Sequence, residues 1–178
     1  MLAPVTLILG GARSGKSRFA ERMVLASGLT PVYVATGQAG DAEMAARIAR
    51  HRTERDAAWR TVEEPVELAA ALRREAAPDR AVLVDCLTLW LTNLLMQERD
   101  VPAAGRELVT AVTNLPGPVV LVSNEVGQGV VPTASLARAF VDHAGRLHQA
   151  LAAQAQRVVL ITAGLPLTLK DTSSGATG

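Results

Sequence analysis

Cysteine occurs once in the 178 residues, as Cys86, so no intrachain disulfide can form and the chain suits a reducing compartment. Aromatic residues make up only 3%, which leaves the core to Leu, Val, Ile and 31 alanines. It also leaves no aromatic platform on which nucleic-acid bases could stack. The net charge of +1 creates no overall field toward a polyanion or an anionic membrane. No basic residue precedes Arg13, so the start lacks the charge of a secretory signal. The longest apolar stretch, Ala81 to Met96, is interrupted by Asp85 and Asn93 and falls short of the roughly 18 residues that a membrane span requires. No Cys/His cluster has zinc-ligand spacing. The expectation is a soluble cytoplasmic protein that binds no nucleic acid and spans no membrane. Lysine is also scarce: of 18 basic residues 16 are Arg, and only Lys16 and Lys170 are Lys.

What is present is ordinary globular composition, 49% hydrophobic and 20% charged. The length predicts one domain over residues 1–170, with a flexible Gly/Ser/Thr tail over 171–178. Short apolar runs alternate with helix-like stretches. Strands are predicted at Val5–Leu9, Pro31–Ala35, Trp59–Val62, Ala81–Asp85, Val119–Ser123 and Val158–Ala163. Helices are predicted at Lys16–Ala26, with Phe19, Met23 and Ala26 on one side and Glu21 and Arg22 on the other, from Asp41 to Arg55, and at Pro65–Ala77, Leu87–Glu98, Pro102–Leu115 and Ala134–Ala155. Fully apolar strands such as Val119-Val120-Leu121-Val122 suit a parallel sheet buried on both faces. The alternation then gives a doubly wound α/β fold with right-handed crossovers.

One segment carries specific chemistry. Gly10-Gly11-Ala12-Arg13-Ser14-Gly15-Lys16-Ser17 fits G-x-x-x-x-G-K-[ST] between a strand and a helix. Glycines let the backbone wrap phosphate oxygens, and amide N–H groups at the helix start face the anion. Lys16 supplies a compact charge to the β- and γ-phosphates, and the Ser17 hydroxyl is a ligand for Mg²⁺. A planar Arg fork does not replace an ammonium in such a loop, which gives Lys16 a reason not to be Arg. A chance glycine-rich turn is the alternative.

Other candidates are less specific. Asp85 ends an apolar strand, where a second Mg²⁺-organising carboxylate belongs; a surface Asp capping the helix at Leu87 is the alternative. Arg47, His51 and Arg55 share one helical stripe, with Arg50 and Arg52 flanking His51. Nearby cations favour the neutral imidazole, which is the nucleophilic form. A solvated charged face gives the same pattern. Asn124 and Glu125 follow a buried strand and face the usual ligand crevice, or else form a capping turn. His143 and His148 read as structural or surface groups, Cys86 as a small core residue, and Trp59 and Trp90 as core or interface. Lys170 has no reason legible in the sequence.

Taken together, these segments resemble the bifunctional adenosylcobinamide kinase/adenosylcobinamide-phosphate guanylyltransferase family of cobalamin synthesis. The similar stretches are GGARSGKSRFAE from Gly10, YVATG from Tyr33, EMAARIARHRTERDAAWRTVEEP from Glu43, VLVDCLTLWLTNLL from Val82, VSNEVGQGVVP from Val122 and LARAFVDHAGRLHQALA from Leu136. They run in order over nearly the whole chain. The phosphate loop alone is shared with many NTPases; the RIxxHRxxR-x₃-WRTxEEP block is far more specific.

The resemblance implies a RecA-like P-loop NTPase fold, a three-layer sandwich whose mostly parallel sheet has one antiparallel strand, assembled as a homotrimer. It implies phosphorylation of the aminopropanol hydroxyl of adenosylcobinamide by ATP or GTP. Transfer of GMP from GTP to that phosphate follows, with release of pyrophosphate. His51 matches the guanylylated histidine. Gly10–Ser17 match the nucleotide loop, with Lys16 catalytic. Ala35, Thr36, Gly37, Arg52, Thr53, Glu54, Arg55, Glu63 and Asp85 fall at GTP positions. Ser17 and Asp85 are the candidate Mg²⁺ ligands, and Glu125 or Asp85 the candidate to orient the hydroxyl. Asp56 stands where the family usually has Pro, and His148 where Asn is commoner. A plain P-loop small-molecule kinase, and a nucleotide-gated binding module, are the rival readings.

Overall fold

The structure is a computed structural model and describes residues 2–38 and 58–172. The predicted helix from Asp41 to Arg55, with His51 and Arg52–Arg55, lies outside the described residues. So do residues 173–178.

Seven strands form one sheet in the order β3-β2-β4-β5-β1-β6-β7. They are β1 (Val5–Gly10), β2 (Thr30–Ala35), β3 (Arg60–Glu63), β4 (Arg80–Asp85), β5 (Val119–Asn124), β6 (Arg157–Thr162) and β7 (Leu165–Asp171). All neighbours pair in parallel except β6 and β7. The described helices are α1 (Lys16–Leu25), α2 (Leu68–Glu75), α3 (Leu87–Met96), α4 (Val101–Val112) and α5 (Ser135–Gln154).

Because side chains alternate across a strand, an apolar strand feeds two cores at once. Val82 and Val84 of β4, with Val5, Leu7 and Leu9 of β1, pack against α2, α3, α4 and α5. Ala81 and Leu83 of β4, with Ile8 of β1 and Val120 and Val122 of β5, pack against Ala20 and Val24 of α1. Helices therefore cover both faces, as expected of a three-layer sandwich. Strand β1 is central, wholly buried, and aims its carboxyl end at the start of α1.

Four local expectations are adjusted by packing. The stripe expected on α1, Phe19–Met23–Ala26, is turned by one residue. Ala20 and Val24 are fully buried, Phe19 and Met23 are half-buried, and Ala26 is exposed. The helix expected over Pro65–Ala77 shortens to Leu68–Glu75, because the Glu64 carboxylate accepts from the N–H groups of Val66 (3.0 Å) and Glu67 (2.8 Å) and holds a turn there. Strand β7 was not among the strands predicted from residue patterns, since Leu165, Leu167 and Leu169 are 55–71% exposed and an edge strand has no two-sided apolar signature. It supplies the antiparallel strand that the resemblance implies. Asp171, expected in the frayed tail, instead pairs with Arg157 across β6, at 3.7 Å between side chains.

Lys170 gains a reason from β7. Its Nζ donates to the carbonyls of Ala152 (2.9 Å) and Ala153 (3.0 Å), among the last of α5. A cation there satisfies carbonyls that lack helical partners and complements the helix dipole. Replacing Lys170 by Met, which keeps the apolar stem, is expected to cost about 1 kcal/mol. The check is a lower urea midpoint at unchanged m-value.

Candidate nucleotide site

Residues 10–17 leave β1, turn sharply and enter α1. Gly15 caps the helix start in the left-handed region at φ 92°, and Arg13 also has a positive φ of 57°. Ser14 N–H donates to Gly11 O (3.3 Å), which closes the turn. The tightest point is Gly10. A β-carbon there would lie 2.5 Å from Ser14 Oγ and 2.7 Å from Ile161 O of the neighbouring strand. The buried Ser14 hydroxyl has no hydrogen-bond partner among the described residues and serves here as packing against Gly10. On the other side Gly164 N–H donates to Ser14 O (2.9 Å), so the β6–β7 turn braces the loop.

Lys16 is 8% exposed, and its Nζ donates to Gly11 O at 3.1 Å. The ammonium thus reaches back across the loop, where the amides of the helix start converge. That arrangement favours an anion by dipole and by charge. Gly11, Ala12 and Arg13 form the exposed rim, and Ser17 is half-buried on the first turn of α1.

The carboxyl ends of β2, β4 and β5 line up beside this loop. Asp85 is half-buried, and its Oδ2 accepts from Tyr33 OH at 3.0 Å. It does not cap α3: the capping position is Cys86, which makes no side-chain cap bond. Tyr33 stacks edge-on with Trp59, centroids 5.8 Å apart at 87°, so an aromatic pair orients the carboxylate. Ser17 and Asp85 supply a hydroxyl and one carboxylate, both hard oxygen donors. Mg²⁺ usually takes one or two protein carboxylates and fills its remaining positions with substrate phosphates and water, so this donor set fits it.

A buried polar relay fixes these strand ends to one another. Thr36 Oγ1 donates to Cys86 O (2.7 Å) and accepts from Cys86 N–H (2.9 Å). Cys86 Sγ lies 3.1 Å from Thr88 Oγ1, which accepts from Asn124 Nδ2 at 2.9 Å. Asn93 Nδ2 donates to Thr36 O (2.7 Å) and Pro65 O (3.0 Å). Asn124, expected to face the ligand crevice or form a capping turn, is set against Thr88; residue patterns alone do not assign Thr88, Asn93 or Tyr33 a role in holding the site. The signal available was polar residues interrupting an apolar run, which marks Asn93 but not its partners. Burial, then the Asp85 charge, pushes the Cys86 thiol up, so it is an inert core group.

Of the remaining predicted residues, Ala35 and half-buried Gly37 flank Thr36 at the end of β2, and exposed Glu63 ends β3, paired in register with Ala35. Glu125 is tied to the loop: its N–H donates to Gly10 O at 3.0 Å, and its Oε1 accepts from Gly127 N–H at 2.8 Å. His148 is buried, with Nε2 2.7 Å from Ser123 Oγ at the end of β5. Burial lowers its pKa from the usual 6.5, against a smaller upward pull from Glu125. Trp90 is buried and donates from Nε1 to Val66 O (2.7 Å).

The sequence pattern of the cobinamide kinase / cobinamide phosphate guanyltransferase family matches residues 6–169. The chain is 57% identical over 166 residues to the bifunctional adenosylcobalamin biosynthesis protein CobP of Pseudomonas aeruginosa, covering 92% of this chain and 96% of the relative. It is 42% identical over 179 residues to the Escherichia coli K12 protein CobU, named in the same way, covering 92% and 98%. Among solved structures, a Pyrococcus horikoshii protein aligns over 100% of this chain and 92% of its own, at 13% identity and TM-score 0.56. The flagellar accessory protein FlaH of Methanocaldococcus jannaschii aligns over 96% and 80%, at 11% identity and TM-score 0.52. These structures are similar in fold, an α/β P-loop sandwich. No helix among the described residues is long and apolar enough to cross a membrane.

Gly10→Ala is expected to lose about 1–3 kcal/mol of stability from the forced contact. Because the Ile161 carbonyl cannot move away, the loop must shift, and nucleotide affinity falls more than tenfold; calorimetric titration with GTP checks this. His148, with its pKa lowered in the folded state, adds a second expectation. Below 6.5 the unfolded chain binds more protons than the folded one at this group. Its contribution to stability is therefore complete above 6.5 and lost as the pH falls. Denaturation midpoints measured from pH 7 to 5 should decline, and His148→Asn should flatten that decline.

Proposed function

Because the chain belongs to the cobinamide kinase / cobinamide phosphate guanyltransferase family, we propose that it performs both reactions on adenosylcobinamide within the one domain formed by residues 1–170. The observation that carries this reading is the braced loop 10–17, with Lys16 drawn across it and Asp85 held by Tyr33 at the end of β4.

In the kinase step the loop amides and Lys16 hold the β- and γ-phosphates of ATP or GTP. The aminopropanol hydroxyl attacks the γ-phosphorus in line, its proton passes to solvent, the bond to the β-phosphate oxygen breaks, and the nucleoside diphosphate leaves. Glu125, tethered to Gly10, orients that hydroxyl. The chain's contribution is chiefly positioning and charge neutralisation. Mg²⁺, held by Ser17 and Asp85, would offset negative charge on the phosphates when bound.

In the second step neutral His51 attacks the α-phosphorus of GTP. A P–N bond forms, the bond to the β-phosphate oxygen breaks, and pyrophosphate leaves with its charge balanced by Lys16. A phosphate oxygen of adenosylcobinamide phosphate then attacks the same phosphorus and displaces His51, giving adenosylcobinamide-GDP. Ala35, Thr36, Gly37, Glu63 and Asp85 with Arg52, Thr53, Glu54 and Arg55 hold the guanine nucleotide. The enzyme acts in the cytoplasm as a homotrimer, to which the exposed leucines of edge strand β7 offer apolar surface.

GTP labelled at the α-phosphate tests this. Wild type should acquire label that survives denaturation. His51→Ala should acquire none, lose guanylyl transfer and keep kinase activity. An unlabelled wild type would point to a plain kinase, and label persisting in His51→Ala would remove the role of that residue.

A further inference from the structure

Two strands flank β1, and they end differently. Strand β6 turns through Ala163 and Gly164 alone, and this tight turn is bonded to the phosphate loop by Gly164 N–H to Ser14 O. Strand β5 opens into the ten residues 125–134 that lead to α5. This loop is tethered at both ends. Glu125 N–H bonds Gly10 O at its start, and the Arg138 guanidinium donates to Pro132 O (3.1 Å) and to Thr133 O at its finish. Between the tethers it turns apolar side chains outward. Val130 is 97% exposed and Val131 73%, with Leu136 at 56% on the first turn of α5. Single exposed valines are common, but an adjacent pair on a loop pinned beside a reaction centre is surface held ready for an apolar body. A β-carbon at Gly129 would meet nothing within 4 Å among the described residues, so the loop is not packed against them at that point. Glu125 is the only charged residue from 125 to 134.

We propose that Val130, Val131 and Leu136 seat the corrin macrocycle of cobinamide. The inference rests on the functional reading above. For in-line transfer the acceptor hydroxyl must approach the γ-phosphorus to roughly 3–3.5 Å. The macrocycle that carries it is too broad to enter a loop built for phosphate, and it must lie on the surface beside that loop. Its apolar faces match the valines. Its fringe of primary amides matches the exposed Gln128 side chain and the loop carbonyls, which hydrogen-bond without needing charge. These contacts touch the acceptor and not the nucleotide, so they set the affinity for cobinamide independently of that for GTP.

The test is equilibrium dialysis of cobinamide, read by corrin absorbance, with GTP titration and gel filtration on the same preparations. The double variant Val130→Ser/Val131→Ser should bind cobinamide about tenfold or more weakly, as loss of two apolar contacts predicts. Its GTP affinity and elution volume should stay as in wild type. Val130→Leu, which keeps the apolar contact, should bind at least as tightly as wild type. Unchanged cobinamide binding in the double variant overturns the proposal. So does weakened binding accompanied by a smaller assembly, which would show the valines buried against a second copy. A wild type that binds no cobinamide overturns the functional reading itself, an outcome distinct from the other two.

Discussion

A β-carbon on residue 10 would meet Ser14 Oγ at 2.5 Å and Ile161 O at 2.7 Å, and the architecture around the site is organised by the absence of that atom. Strand β1 must stay paired with β6 up to its last residue, because Gly10 is in register with Ile161. The chain must then double back at once, so that Ser14 packs over the strand it has just left. Only glycine allows both. The consequence reaches α1, whose first residue Lys16 is aimed by the turn, and β7, whose connection to β6 supplies the Gly164 N–H that braces Ser14.

The carboxyl edge is fixed by a second device, hydrogen bonding inside an apolar setting. Thr36, Cys86, Thr88 and Asn124 link three strands in succession, and Asn93 ties the end of β2 to the turn before α2. A buried polar group without a partner is costly, so each such residue constrains its neighbours to one arrangement. Asp85 gains a set orientation from Tyr33. His148 and Ser123 extend the same principle to the β5–α5 side, adjoining the loop that Glu125 begins.

The central strands were legible because their residues are apolar on both faces, a pattern that few other structures produce. The phosphate loop was legible because its chemistry demands fixed residue types at fixed spacing. Strand β7 was not, since an edge strand with exposed leucines resembles a loop with a few apolar residues; its pairing with β6 is a long-range fact. The relay behind the site was hidden for a similar reason. Thr36 and Asn124 are legible as residues near the ligand, but their connection through Cys86 and Thr88 is not, until the strand order sets them side by side. Lys170 was opaque because its partners, the carbonyls of Ala152 and Ala153, are backbone atoms brought near only by the final strand.

The scarcity of lysine now divides into two physical cases. At both positions an ammonium donates to backbone carbonyl: Lys16 to Gly11, Lys170 to the end of α5. A compact donor with three N–H bonds can approach a curved row of carbonyls from one point, whereas a planar guanidinium needs its acceptors spread along a fork. Several of the described arginines meet the opposite need. Those with described partners mostly meet flat carboxylates, as Arg60 and Arg74 meet Glu75, Arg73 meets Glu107 and Arg99 meets Glu67. Arg138 and Arg80 are described exceptions: Arg138 Nη1 donates to both Pro132 O and Thr133 O, and Arg80 Nη1 donates to Glu75 O, the last residue of α2. The shape of the acceptor thus accounts for the arginines that meet carboxylates, whereas backbone carbonyls are met by both cations, and among these Lys16 is set apart by its burial.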